Sequence, residues 1–499
     1  MRPPRPLAIE LTLLVGVFAA VGCASVQRQI LQSPAAGGPQ WRQLESEHFI
    51  LRTDYADWTA RSALETFDRS ARALLSLALP AGASAPKQRL DIVLFEHEDD
   101  MQALTGIKNF GEFRANIDGG KPTLLMSTSG GFVATFDLTR IATQHELTHW
   151  IFHNAVPGLP PWLNEGLATY WETLRLEDGQ ALIGSIPPMI DLLADWPPTS
   201  ELFSVGEEAF TKQGGHRYYS ASWGAVYLLY AKHGDAFARY LSALASGASG
   251  EAAWRSAFGS FGAGELDAER RDWFAADRPW AHGVPMALAV RDIAPGRAMA
   301  PADVLVLWSL LRSWSDKEQL RHVVDDLAAA ERLAPDSPSV QARQAQLELR
   351  RGAIAAARTR LERALAAHPD DKLLLRVRGE VMLHEELARP AAERDFAALT
   401  ALTAHLADGD AAAPSLRFAA RVAAIVGDKA RSVALAERAT LRAPDCVACF
   451  DMLAVARRDA GDVEGAIAAE ETALRLLPDG LDDYDLKQRL AKLKQMRAR

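Results

Sequence analysis

Cysteine is scarce: 499 residues contain three, Cys23, Cys446 and Cys449. The last two form a C-x-x-C, but zinc there would need two more ligands with no candidates nearby, and haem attachment would need histidine where Phe450 stands. A local disulfide in an oxidising compartment stays open to them, beside a plain structural role. Basic runs are also missing. With 55 basic against 64 acidic side chains and a net charge of −9, nothing forms the electrostatic footprint of a nucleic-acid partner. Beyond the amino terminus no apolar stretch reaches the roughly eighteen residues that a membrane-spanning helix requires. What is present is globular in composition, 48% hydrophobic and 24% charged, and long enough for about three domains.

The amino terminus carries Arg2 and Arg5, an apolar stretch from Leu11 to Val21, and then Gly22-Cys23-Ala24-Ser25. Charge, a short apolar core and small residues in that order make residues 1–22 a secretory signal rather than a span. The cysteine at its end resembles the lipobox of bacterial lipoproteins. That resemblance implies acylation of Cys23, a membrane contact through the N-terminal lipid, and residence in the cell envelope. Ala24, in place of an inner-membrane-retaining aspartate, favours the periplasmic side of the outer membrane. Residues 23–40, ending Ser33-Pro34-Ala35-Ala36-Gly37-Gly38-Pro39, have tether composition.

The richest chemistry lies at His145-Glu146-Leu147-Thr148-His149, followed after fifteen intervening residues by Glu165 within Trp162-Leu163-Asn164-Glu165-Gly166-Leu167-Ala168. Histidines four apart on a helix differ by about 40° around the axis and project from one face. They can share one metal. A catalytic zinc takes three nitrogen or oxygen ligands and keeps a fourth position open, and Glu165 is the natural third ligand. Glu146, adjacent but not a ligand, is then placed to take a proton from water. The run from Leu138 to Phe152 reads as an amphipathic helix with Asp137 at its N-cap and Pro157-Gly158 after its end. A second helix from Trp162 to about Leu174 would return Glu165 toward the histidines. An amphipathic helix with solvated His and Glu is the competing structural reading.

With the WLNEGLATY segment, these residues resemble the gluzincin metallopeptidases, in particular the peptidase-MA-like domains of bacterial envelope proteins. Trp41 to Asp54, Leu90 to Glu96 and Tyr218 to Gly234 are similar to further elements of such domains, so the resemblance covers residues 41–280. It implies an α+β zincin-like fold, Zn2+ held by His145, His149 and Glu165, Glu146 as the catalytic base, and a peptide or protein substrate. It also implies a phenol for the developing oxyanion. Tyr219 is the candidate and Tyr218 its rival, with a packing tyrosine as the alternative. The Gly-x-Met-Glu-Asn segment of zinc aminopeptidases is absent, so aminopeptidase activity is not supported.

His153 extends the histidine ladder by one turn, but three ligands along one straight helix cannot close a tetrahedron, so a second-shell or solvated position is expected. Partners for the ligands' second ring nitrogens are open among Thr169, Asn164 and Glu172. Strands are expected at 48–53, 89–95, 113–117, 122–127 and 131–136, the last offering an edge for an extended peptide or serving as plain sheet. Helices are expected at 57–79, 98–105, 217–233, 235–246 and 265–276.

Pro335 and Pro369 are 34 residues apart, as are Pro444 and Pro478, and each precedes Asp. That period indicates tetratricopeptide repeats (TPR). Ala345, Ala357 and Ala364, then Ala454, Ala466 and Ala473, supply the small residues at which paired helices approach. About five helical pairs are expected over 304–480, with seven extra residues near Pro390, a linker over 281–303 and a closing helix over 481–499. An all-α solenoid of this kind presents a concave surface for a protein partner. Two functional readings follow: zinc-dependent peptide-bond hydrolysis with the repeats holding a protein, or an inert adaptor working through its repeats. An envelope amide hydrolase with a non-protein substrate remains a variant of the first.

Overall fold

The computed structural model describes residues 30–106, 111–116, 120–127, 136–190, 195–206, 208–211, 215–276, 281–289, 291–477 and 483–497. Cys23 and the expected signal segment lie outside the described residues. The amino-terminal half runs β1 (Arg42–Glu45), β2 (Phe49–Thr53), α1 (Asp57–Leu77), β3 (Leu90–Phe95), α2 (Glu98–Thr105), β4 (Gly111–Arg114) and β5 (Thr123–Ser127). Next come α3 (Phe136–Ala155) and α4 (Pro161–Trp171), the hairpin β6 (Arg175–Glu177) and β7 (Gln180–Ile183), and the short helices α5 (Thr199–Leu202) and α6 (Glu208–Thr211). Helices α7 (His216–Ala245), α8 (Gly250–Phe258) and α9 (Ala263–Ala276) and strands β8 (His282–Pro285) and β9 (Arg297–Ala298) follow.

One sheet has the order β4-β5-β3-β2-β1-β9. Strands β2, β3 and β5 are parallel, with Leu51 opposite Ile92 and Ile92 opposite Leu124, while β4 runs antiparallel at the edge. Alternation along β3 assigns its two faces. Leu90, Ile92 and Leu94 join Leu124 and Met126 in the core shared with α1 and α3. Val93 and Phe95 point the other way with Leu125 and Trp41.

What covers that second face is the start of the helical array. Five helical pairs occupy the described residues: α10 (Pro301–Leu311) with α11 (Lys317–Leu333), α12 (Pro338–Arg350) with α13 (Ile354–Ala367), α14 (Lys372–Ala388) with α15 (Ala397–Leu406), α16 (Ala413–Ile425) with α17 (Lys429–Arg442), and α18 (Val447–Ala460) with α19 (Val463–Leu476). Helix α20 (Tyr484–Arg497) closes the stack, where Arg489 bonds Glu470 at 3.1 Å and Asp451 at 2.6 Å. Ala345, Ala357 and Ala364 are buried together in one repeat, and Ala454, Ala466 and Ala473 are buried in another. Asp316, Asp371, Asp428 and Asp462 each cap a helix by accepting the amide three residues on. The extra residues near Pro390 form a short 3-10 turn between α14 and α15. The carboxy-terminal part is therefore an all-α repeat solenoid.

Several expectations change. Residues 281–303 are no free linker: β8 pairs with β7, and β9 pairs with β1, because both neighbouring strands have an unfilled edge. Residues 30–40, expected as tether, also lie on the fold, where Leu31 donates its amide to Asp100 at 2.5 Å and Gln40 bonds the Met299 carbonyl at 2.9 Å. Helix α3 starts at Phe136, so Asp137 sits inside its first turn rather than at its cap. Of the strand expected at 131–136, residues 131–135 lie outside the described residues. Two expected helices merge in α7, which bends at His233 (φ −125°, ψ 28°). The β6–β7 hairpin turns on Asp178 and Gly179, both at positive φ (49° and 74°), as a two-residue Asp-Gly turn requires.

Trp308 of α10 packs edge-on against Trp41, ring centres 6.3 Å apart, and Trp41 against Phe95 at 5.4 Å. Trp308→Ala should therefore lower the stability of sheet and array together by about 3–5 kcal/mol. Urea unfolding followed by a probe in each half checks this, and a shift confined to the array's probe contradicts a shared core.

Candidate metal centre

The pair of helices that carries the candidate ligands is shaped by a tight turn and a close crossing. Val156 donates its amide to the Phe152 carbonyl at 2.7 Å, Gly158 takes φ +78°, and Pro161 occupies the first turn of α4. Helix α4 then lies against α7 so closely that a Cβ on Gly166 would stand 2.7 Å from the Ser222 carbonyl. Glycine is required there. The hairpin carries Glu165, 8% exposed, back to the histidine face of α3.

His145, His149 and Glu165 offer ligand atoms that all lie within 4.8 Å of one another. Nε2 of His145 is 3.4 Å from Glu165 Oε2, and Nε2 of His149 is 3.7 Å from Glu165 Oε1. Both other ring nitrogens are committed: Nδ1–H of His145 donates to Glu172 Oε2 at 2.8 Å, and Nδ1–H of His149 to Asn164 Oδ1 at 3.1 Å. These acceptors fix the tautomer that turns both Nε2 lone pairs inward. Thr169 does not share this work, since its hydroxyl is buried without a hydrogen bond.

The donor set fits zinc. Two imidazole nitrogens and one carboxylate are the donor types of a catalytic zinc, and they lie within 4.8 Å of one another. Glu165 Oε2 is shielded from solvent and receives no hydrogen bond, as expected of an atom that faces a cation. Burial opposes charge on His145, but the nearby carboxylates of Glu165 and Glu172 outweigh it and hold its pKa well above the usual imidazole value. Burial likewise works to raise Glu165, yet His149 and His145 keep its pKa below the ordinary carboxylate range. The cluster thus selects positive charge, a proton or a metal.

Glu146 lies on the same helix but outside this cluster. Its Oε2 accepts the Phe113 amide of edge strand β4 at 2.9 Å, and a Cβ on Gly111 would meet its Cγ at 3.2 Å. The strand beside the metal helix is therefore β4, which the sequence did not single out as the working edge. The Tyr219 ring centre is 6.5 Å from that of His145. The Tyr218 hydroxyl donates to Glu201 at 2.7 Å and accepts from Arg217 at 2.9 Å, so it is engaged elsewhere. His153 is not in the cluster and not solvated: its Nε2 is shielded, its ring meets Phe113 at 5.7 Å, and burial depresses its pKa to about 4. The reason is the array, which brings the Asp445 backbone against its ring.

No family model matches the chain, and neither does any curated protein. Among solved structures it is similar to a thermophilic TPR protein from Thermus thermophilus, at 19% identity over 39% of this chain and 99% of that one, with a TM-score of 0.34. It is also similar to PilW, a type IV pilus biogenesis factor, at 18% identity over 40% and 88%, with a TM-score of 0.32. YrrB, a TPR protein with an unusual peptide-binding site, matches at 17% identity over 38% and 92%, with a TM-score of 0.24. At such scores the assignment of a solenoid rests on the five helical pairs themselves.

Metal content gives the direct check. Purified wild type and His153→Ala should hold about one zinc per chain, while His149→Ala and Glu165→Ala should lose it; equal content in all four contradicts the ligand set. Because His145 keeps its proton to higher pH than a free imidazole, zinc must displace that proton at neutral pH. Affinity should rise with pH until the His145 pKa is passed, and calorimetry in buffers of different ionisation enthalpy should record about one proton released per metal.

Proposed function

We propose that the chain is a zinc-dependent hydrolase of peptide bonds in the cell envelope, with a helical array that holds a protein. The convergence of the two Nε2 atoms on Glu165, with both Nδ1 positions already bonded, carries this reading. His145, His149 and Glu165 would hold the ion, and Glu172 and Asn164 would keep the imidazoles oriented. Bound there, zinc supplies a Lewis acid that brings the pKa of water toward 7 and polarises a carbonyl. Glu146 takes the proton from water and passes it to the leaving amine, moving away from the Phe113 amide as it does so. Tyr219 donates to the oxygen that gains charge. Placement in the envelope comes from Arg2, Arg5 and the Leu11 to Ala24 segment, through a lipid on Cys23.

The array supports the second reading, an adaptor that binds protein without cleaving it. Its concave side contains a 670 Å³ groove lined by Arg376, Glu380, Arg417, Phe418, Asp451 and Met452, a mixed polar and apolar surface suited to a polypeptide. The Phe113 amide on Glu146 supports that reading too, because it occupies the proposed base.

Glu146→Gln separates the two. It keeps the metal ligands and removes only proton transfer, so hydrolysis of a peptide library should fall by about 10²–10⁴-fold with zinc content unchanged. Identical cleavage by both proteins refutes the role of Glu146, and no cleavage from either leaves the adaptor reading in place.

A further inference from the structure

The array touches the metal-binding half twice: at its start, through α10 on the sheet, and again at the corner between α17 and α18. At that corner Gln88 bonds the Arg442 carbonyl at 2.6 Å. Asn116, two residues past β4 and 2% exposed, is gripped from both sides. Its side-chain amide donates to Asp445 Oδ1 at 3.2 Å, and its carbonyl accepts the Val447 amide at 3.3 Å. His153, one turn beyond His149, packs between Phe113 and the Asp445 backbone. At the α3–α4 turn, a Cβ on Gly158 would stand 3.0 Å from Arg475 of α19. The corner therefore clamps the end of the edge strand and the end of α3, while α19 meets the turn that returns Glu165.

The clamp is built around a disulfide. Cys446 caps α18, its Sγ accepts the Cys449 amide at 3.0 Å, and the two sulfurs are bonded to each other. Asp445 and Val447, the residues that hold Asn116, flank Cys446 directly. Both cysteines are fully buried.

We propose that the 442–449 corner is a redox-set latch: the Cys446–Cys449 bond holds it on β4 and α3, and reduction by a dithiol releases both elements. In that exchange the sulfur–sulfur bond of the chain breaks, the reductant's own forms, and the two hydrogens of the dithiol end on Cys446 and Cys449. The disulfide fixes the turn from Cys446 to Cys449, and the two groups that hold Asn116 sit on the residues flanking Cys446, so the intact bond and the docked corner favour each other. Release would free the Asn116 carbonyl, just past β4, for another extended chain. The latch needs only this contact and stands whether or not the metal site hydrolyses anything.

Hydrogen exchange on the full chain, oxidised and after dithiothreitol, tests it. Reduction should speed exchange about tenfold at 111–116 and 150–156, with 317–388 unchanged. Exchange that rises only within 443–460, or equally across the whole array, overturns the latch. In the reverse direction, Asn116→Ala should shift the equilibrium of Cys446–Cys449 with dithiothreitol about tenfold toward the thiols, and an unchanged equilibrium also overturns it.

Discussion

A carboxylate kept from water beside two imidazoles, each already bonded through its other nitrogen, is the constraint on which the centre depends. Taking charge out of water is costly unless a partner of opposite sign replaces the solvent. Glu172 and Asn164 consume the donors that would otherwise have served Glu165, leaving its Oε2 without a hydrogen bond. A cation between the three resolves this tension, which a protonated His145 relieves only in part. The helix hairpin, the glycine crossing at Gly166 and the α7 packing all hold that geometry against the cost of burial.

The two halves are not separate bodies on a string. The sheet has two apolar faces, and α1 and α3 cover one. The other is covered by α2 together with α10, so the first repeat is as much a layer of the sheet as a member of the solenoid. Contacts at Asn116, His153 and Gly158 then return the far end of the array to the metal helices.

How legible this was in the sequence depends on distance along the chain. Local patterns were readable: the His145/His149 spacing, the prolines that open and close the helix hairpin, and the 34-residue period that locates five helical pairs and the insertion near Pro390. Asn164 and Glu172 were also visible as orienting partners, because both lie within two turns of Glu165. The Asn116 to Asp445 bond spans 329 positions and leaves no periodic trace. That is why His153 read as solvated or second-shell when it is packed under the array. The contact of β4 with α3 was not legible either, since a strand of four half-buried residues has little hydrophobic alternation. Asp178-Gly179 was a hairpin signal that short, exposed flanking strands made easy to pass over.

X-ray absorption at the zinc edge on the purified, metal-loaded chain probes the central claim most directly. The account predicts a first shell of nitrogen and oxygen at about 2.0–2.1 Å with multiple scattering from two imidazoles, altered by Glu165→Ala. A shell with sulfur, six oxygens, or a spectrum indifferent to Glu165→Ala would contradict it.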